Sequence, residues 1–163
     1  MERNIFTGGI VMNDEIQNND EIQSNNETQG NNEEQRNSVI TLHRRVQLCL
    51  ATSGGIPSIA PITHIAFGDG GVDGNGDPIP PVETQISLNN QVGMYPINGV
   101  TYPLTPPTTA RYTATIPAMD LASVSISEAA LVDEDGHLHA IKTFYVKRKD
   151  EDITFTFTFD DEF

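Results

Sequence analysis

The sequence has no tryptophan and a single cysteine, Cys49. One thiol excludes an internal disulfide framework and any multi-cysteine metal site. Basic residues are scarce, with 9 Lys and Arg against 23 Asp and Glu for a formal charge of −14. Binding a phosphate backbone relies on clustered cations that release counterions, so no nucleic-acid partner is expected. Anionic membrane surfaces are disfavoured for the same reason, and no run of about 18 apolar residues is present to span a bilayer. The opening Met1-Glu2-Arg3-Asn4-Ile5-Phe6-Thr7-Gly8 breaks off before an apolar core of at least ~7 residues, so no signal peptide is read there. What remains is an acidic chain, expected to be soluble, whose 163 residues favour one folded domain.

The chain falls into two parts. From Asn13 to Arg36 it repeats every six residues, beginning Asn13-Asp14-Glu15-Ile16-Gln17-Asn18 and Asn19-Asp20-Glu21-Ile22-Gln23-Ser24. A β-helical coil needs an inward apolar residue in every copy, yet the third and fourth copies place Thr28 and Glu34 where the isoleucines stood. A period of six matches neither the 3.6 residues of a helical turn nor a 3.5-residue seam. Too little apolar area is available to offset a backbone entropy of about 1–2 kcal/mol per residue. Residues 1–37 are therefore read as a polar low-complexity tether, unless their Asn and Gln side chains pair between chains in an assembly. At the front of the tether, Ile5-Phe6-Thr7-Gly8-Gly9-Ile10-Val11-Met12 forms an apolar patch that no neighbouring sequence covers. Ile5, Phe6, Ile10 and Val11 are its expected partner-binding residues.

Residues 38–163 carry the patterns of a folded body. Val39, Leu42, Val46, Cys49 and Leu50 recur at helical spacing, with Ser38 placed to cap the helix and Gly54-Gly55 to stop it. Arg44, Arg45 and Gln47 fall on the other side, so the apolar stripe must meet the body or a neighbouring subunit, with Val39, Leu42 and Val46 as candidate contacts. Beyond Pro57 the pattern is that of short strands. Ile62 to Phe67 ends at Gly68-Asp69-Gly70-Gly71, and Met94 to Tyr102 is expected to form a hairpin about Asn98-Gly99. Tyr112, Ala114 and Ile116 alternate with threonines, as do Ile153, Phe155, Phe157 and Phe159. Asp133-Glu134-Asp135-Gly136 makes a turn. The expected fold class is mainly β (α+β), an antiparallel sandwich-like domain with one leading amphipathic helix.

Few residues suggest chemistry. Asp69, Asp73, Asn75 and Asp77 lie on a Gly-rich loop whose carboxylates and carbonyls suit a hard cation, making Ca²⁺ the one candidate cofactor. The loop lacks the Gly and bidentate Glu of an EF-hand, because Pro78 and Thr84 occupy those places, and the same residue types also serve ordinary turns. His137 and His139 stand two apart on a strand, so their rings share a face and could share a metal in a three-fold oligomer. The plainer expectation puts both on the solvent side, with Leu138 and Ala140 inward. Cys49 is expected to be buried and inert on the helix stripe, and His64 to be structural. Glu128 is the one acid in an apolar strand. It calls for a partner, Arg111 or Lys142, more than it suggests a catalytic acid. No enzyme is expected.

The order of these pieces resembles the N-terminal domain of phage tail-collar fibre proteins over residues 40–163. The resemblance rests on Ile62-Thr63-His64-Ile65-Ala66-Phe67-Gly68-Asp69-Gly70, the polar segment Glu83 to Asn90, and Glu128-x-x-Leu131-x-Asp133-x-x-Gly136 followed by a closing hairpin. It departs at Ala130, where the family often has Gly. The resemblance implies a compact attachment domain of a phage tail or phage-like contractile injection particle, assembled in the bacterial cytoplasm. Such a domain would contact other tail or baseplate subunits and copies of itself. Family members continue into a long shaft, whereas this sequence stops at Phe163, which implies attachment without a fibre of its own. The alternative is a calcium-dependent module for a cell-surface glycan, built on the Asp69–Asp77 loop.

Overall fold

The computed structural model describes residues 37–163, so the tether and its Ile5, Phe6, Ile10 and Val11 lie outside the described residues. The elements in chain order are β1 (Ser38–Ile40), α1 (Leu42–Thr52), β2 (Ile62–Gly68), β3 (Gln91–Thr101), β4 (Thr109–Ile116), β5 (Ser125–Asp133), β6 (Leu138–Arg148) and β7 (Phe155–Glu162). All strand pairs are antiparallel, in the order β1-β6-β5-β2-β3-β4-β7. The mainly β, single-helix class is thus realised as one sheet of seven strands curled into a half-barrel.

The core follows from strand alternation. On β7, Phe157 and Phe159 are buried while Thr156 and Thr158 face out, as a period of two dictates. Those rings join Ile65 and Phe67 of β2, Ala114 and Ile116 of β4, and Ile126, Ala129 and Leu131 of β5 in one cluster inside the curl. Phe67 meets Phe157 edge to face, with centroids 5.3 Å apart. β5 is apolar without a break from Ala129 to Val132 because both its faces are covered. Ala129 and Leu131 face the main cluster, while Ala130 and Val132 join Ala66, Leu88, Leu138 and Ile141 in a second one.

Three local expectations are corrected. Ser38–Ile40 is a strand rather than the helix start. It pairs with Ala140–Lys142 of β6, and Val39 packs partly buried against the second cluster. The cap of α1 is Thr41, whose hydroxyl accepts from the Arg44 amide and donates to the Leu138 carbonyl. Asn98-Gly99 is no hairpin turn. β3 runs straight through it with a register shift between Ile97 and Gly99, and the Asn98 side chain donates to Thr115 Oγ1 at 2.8 Å. An Asn-Gly pair serves a bulge by the same conformational freedom that serves a turn. The closing segment forms no hairpin with β6, because β7 pairs with β4 from Thr109↔Glu162 to Ile116↔Phe155.

Candidate functional site

α1 presents its faces in the opposite sense to an ordinary surface helix. Leu42 and Val46 are each 45% exposed and Leu50 is 38% exposed. Spaced by four, they form one ridge. The side turned to the body carries Arg44, which is buried and pairs with Asp161 of β7, also buried. A buried guanidinium needs such a partner, and holding it fixes the rotation of the helix with the apolar ridge outward. Cys49, on the same stripe, is therefore exposed, which corrects the expectation of a buried thiol. The Leu42 amide donates to the Glu83 carbonyl at 2.7 Å, and Arg45 pairs with the Glu83 side chain. The Ile79–Ile86 segment, with Val82 and Ile86 exposed, therefore borders the ridge at its N-terminal end.

The Gly-Asp-Gly loop and the Asn89-Asn90 segment meet at Glu128. Its carboxylate is fully buried and is partnered by neither Arg111 nor Lys142. Oε1 accepts from the amides of Gly70 at 3.3 Å and Asn90 at 2.8 Å, and Oε2 from that of Asn89 at 3.1 Å. Beside it the Gly71 amide donates to Ser127 Oγ at 2.9 Å. Arg111 instead grips Asp160 through two 2.7 Å bonds, and the Lys142 ammonium lies 5.5 Å from the Phe159 ring centroid. Glu128 thus clasps the Gly-Asp-Gly loop to the Asn89-Asn90 segment.

In that loop Asp73 Oδ1 accepts from the amides of Asn75 at 2.8 Å and Asp77 at 3.0 Å. Those bonds hold the Asp73 carboxyl below the usual carboxylate range. Asp69 Oδ1 accepts from the Asn90 side chain at 2.6 Å. Asp69, Asp73 and Asp77 do not converge on a common point. Among the described residues, the group of three such side chains with ligand atoms within 4.8 Å of one another is His43, Asp133 and His137.

Sequence reasoning missed that group. Asp133 ends β5 and is buried, and Gly136, with φ of 87°, turns the chain back so that His137 and His139 return towards it. The Asp135 and His137 amides donate to Asp133 Oδ1 at 3.0 and 2.8 Å. Oδ2 lies 2.9 Å from His139 Nε2 and 3.6 Å from both His43 Nε2 and His137 Nδ1. The expectation that His137 and His139 both line the solvent side of a strand is corrected, since His137 is exposed in the turn before β6 and His139 is buried on β6. Pairing of β1 with β6 places the first turn of α1 over this turn, with the Thr41 amide donating to the His139 carbonyl at 3.0 Å. The His43 ring stacks on His137 with centroids 4.2 Å apart and planes 16° apart. Burial works to raise the Asp133 carboxyl, but the His137 amide and the His139 imidazole outweigh it and hold it below the usual range. Desolvation lowers His139 despite its bond to Asp133, helped by the charge of Arg44. With Asp133 ionised and His139 neutral, the proton between them sits on Nε2.

Among the described residues no helix is long and apolar enough to cross a membrane. Comparison with protein-family models, curated proteins and solved structures gave no match to this chain.

Proposed function

We propose that this protein is a structural attachment component of a phage tail or phage-like contractile injection particle, acting at the baseplate or collar through contacts with copies of itself and with neighbouring subunits. No catalysis and no obligatory cofactor enter this reading. The observation that carries it is the outward apolar ridge of α1. Three aliphatic side chains in one line are held away from the body by a buried ion pair on the opposite face, the kind of exposed apolar patch that marks a protein contact. Contact of the Gly-Asp-Gly loop and of Asn89-Asn90 with Glu128 supports the same reading, because it brings together three of the segments on which the tail-collar resemblance rests.

The test is size-exclusion chromatography with light scattering on the full chain and on Leu42→Glu/Val46→Glu, together with incorporation of each into particles. The double variant should fold, since both sites face solvent, but the charged ridge should shift the oligomer to monomer and reduce incorporation by about tenfold or more. A wild-type chain that stays monomeric, together with undiminished incorporation of the variant, overturns the proposal.

A further inference from the structure

We propose that His43, Asp133 and His137 form a binding site for a divalent first-row transition ion, which ties α1 to the β5–β6 turn. The ligand separations suit one ion, and binding requires His43 and His137 to turn out of their stack, with planes 16° apart, so that each holds the ion in its ring plane. Two donors each 2.0–2.1 Å from a tetrahedral zinc ion lie about 3.4 Å apart, and both imidazole nitrogens stand 3.6 Å from Asp133 Oδ2. The chain has four histidines, and three of them reach this one carboxylate.

The support a metal carboxylate needs is already in place. Two backbone amides hold Oδ1, and the buried His139 fixes Oδ2 from the side away from solvent. The two arginines of α1 are paired elsewhere, Arg44 with Asp161 and Arg45 with Glu83. The donor set of two imidazoles and one carboxylate selects zinc and its neighbours over Ca²⁺ or Mg²⁺, which prefer all-oxygen shells. His43 and His137 have side chains 29% and 53% exposed, so an ion has an entry path and water completes the shell. The site joins residues far apart in sequence, so a bound ion would fasten the helix that carries the apolar ridge.

The experiment is calorimetric titration of ZnCl₂ into the chelator-treated full chain, with thermal unfolding and the visible absorption of the Co²⁺ form as second readouts. One ion per chain is expected, with a Tm rise of about 5–10 °C at roughly a hundredfold excess over Kd. A four-coordinate Co²⁺ spectrum is expected as well. His43→Ala/His137→Ala should remain folded and lose the heat, the Tm rise and the spectrum, whereas His64→Ala and Cys49→Ser should keep all three. Zinc binding that persists undiminished in the double variant, or that is lost in Cys49→Ser, overturns the proposal, as does a Tm rise with Ca²⁺ equal to that with Zn²⁺.

Discussion

Replacing Glu128 by Gln removes a charge and little else, which makes it the sharpest probe of the clasp. The carboxylate accepts from three backbone amides, two at Oε1 and one at Oε2. Glutamine can keep its oxygen at the Oε1 position, but its NH₂ group then faces the Asn89 N–H, donor against donor. The reverse orientation loses two bonds instead. In the better case one amide is left without an acceptor, at about 1–3 kcal/mol, and two charge-assisted bonds become neutral, at about 1 kcal/mol each. Water can reach part of this loop, so the expected loss is about 2–4 kcal/mol, and Glu128→Ala should lose about as much again or slightly more. Equilibrium urea unfolding at constant m-value reads the loss. Hydrogen exchange should quicken at Gly70, Asn89 and Asn90 before it does elsewhere. A change in stability below about 0.5 kcal/mol with unaltered exchange at those amides would refute the reasoning, and so would Arg111→Met or Lys142→Met producing the same local exchange.

Arg44→Ala leaves the Asp161 carboxylate buried without its partner and should cost about 3–5 kcal/mol in denaturant unfolding, while Arg44→Met/Asp161→Leu should recover much of it. The bonds from Arg111, opposed by burial, hold the Asp160 carboxyl below its ordinary range. The unfolded chain therefore binds that proton first, so the stabilisation is present above an unfolded pKa near ~3.9 and fades as the pH falls through the lower folded value. Arg111→Met should flatten the dependence of Tm on pH below about pH 4 only slightly, because the pair is partly exposed and screened. A Cβ added at Gly71 would collide with the Ser127 carbonyl, whereas nothing lies within 4 Å of one at Gly74. Gly71→Ala should therefore cost about 1–3 kcal/mol and Gly74→Ala far less, as measured by thermal unfolding.

The parts that were legible in the sequence are those whose pattern is local. Alternation of Phe and Thr in β7 gave its buried face directly, and β5 stood out as an apolar strand around Glu128, although that both its faces are covered comes only from the fold. The existence of α1 could be read from spacing, but its orientation could not. The stripe says which side is apolar, while the side that is buried depends on Asp161, 117 positions away from Arg44. The Asp133 site was hidden for a related reason. His137 and His139 were visible as a pair, but His43 joins them only through the pairing of β1 with β6, and a three-residue strand carries almost no periodic signal. Asn98-Gly99 misled because the residue pair that closes a hairpin also suits a bulge. Glu128 was singled out as the one acid in an apolar strand, but its partners are main-chain amides, which leave no trace in side-chain composition.

The sheet order makes β1 and β7 its two margins. The helix that follows β1 reaches across to β7 through Arg44, whose guanidinium also lies 4.7 Å from the centroid of the Phe163 ring. One side chain thereby straps together the first and last strands of an unclosed wall. Bare strand margins are templates for other chains, so letting go of this strap would release both at once.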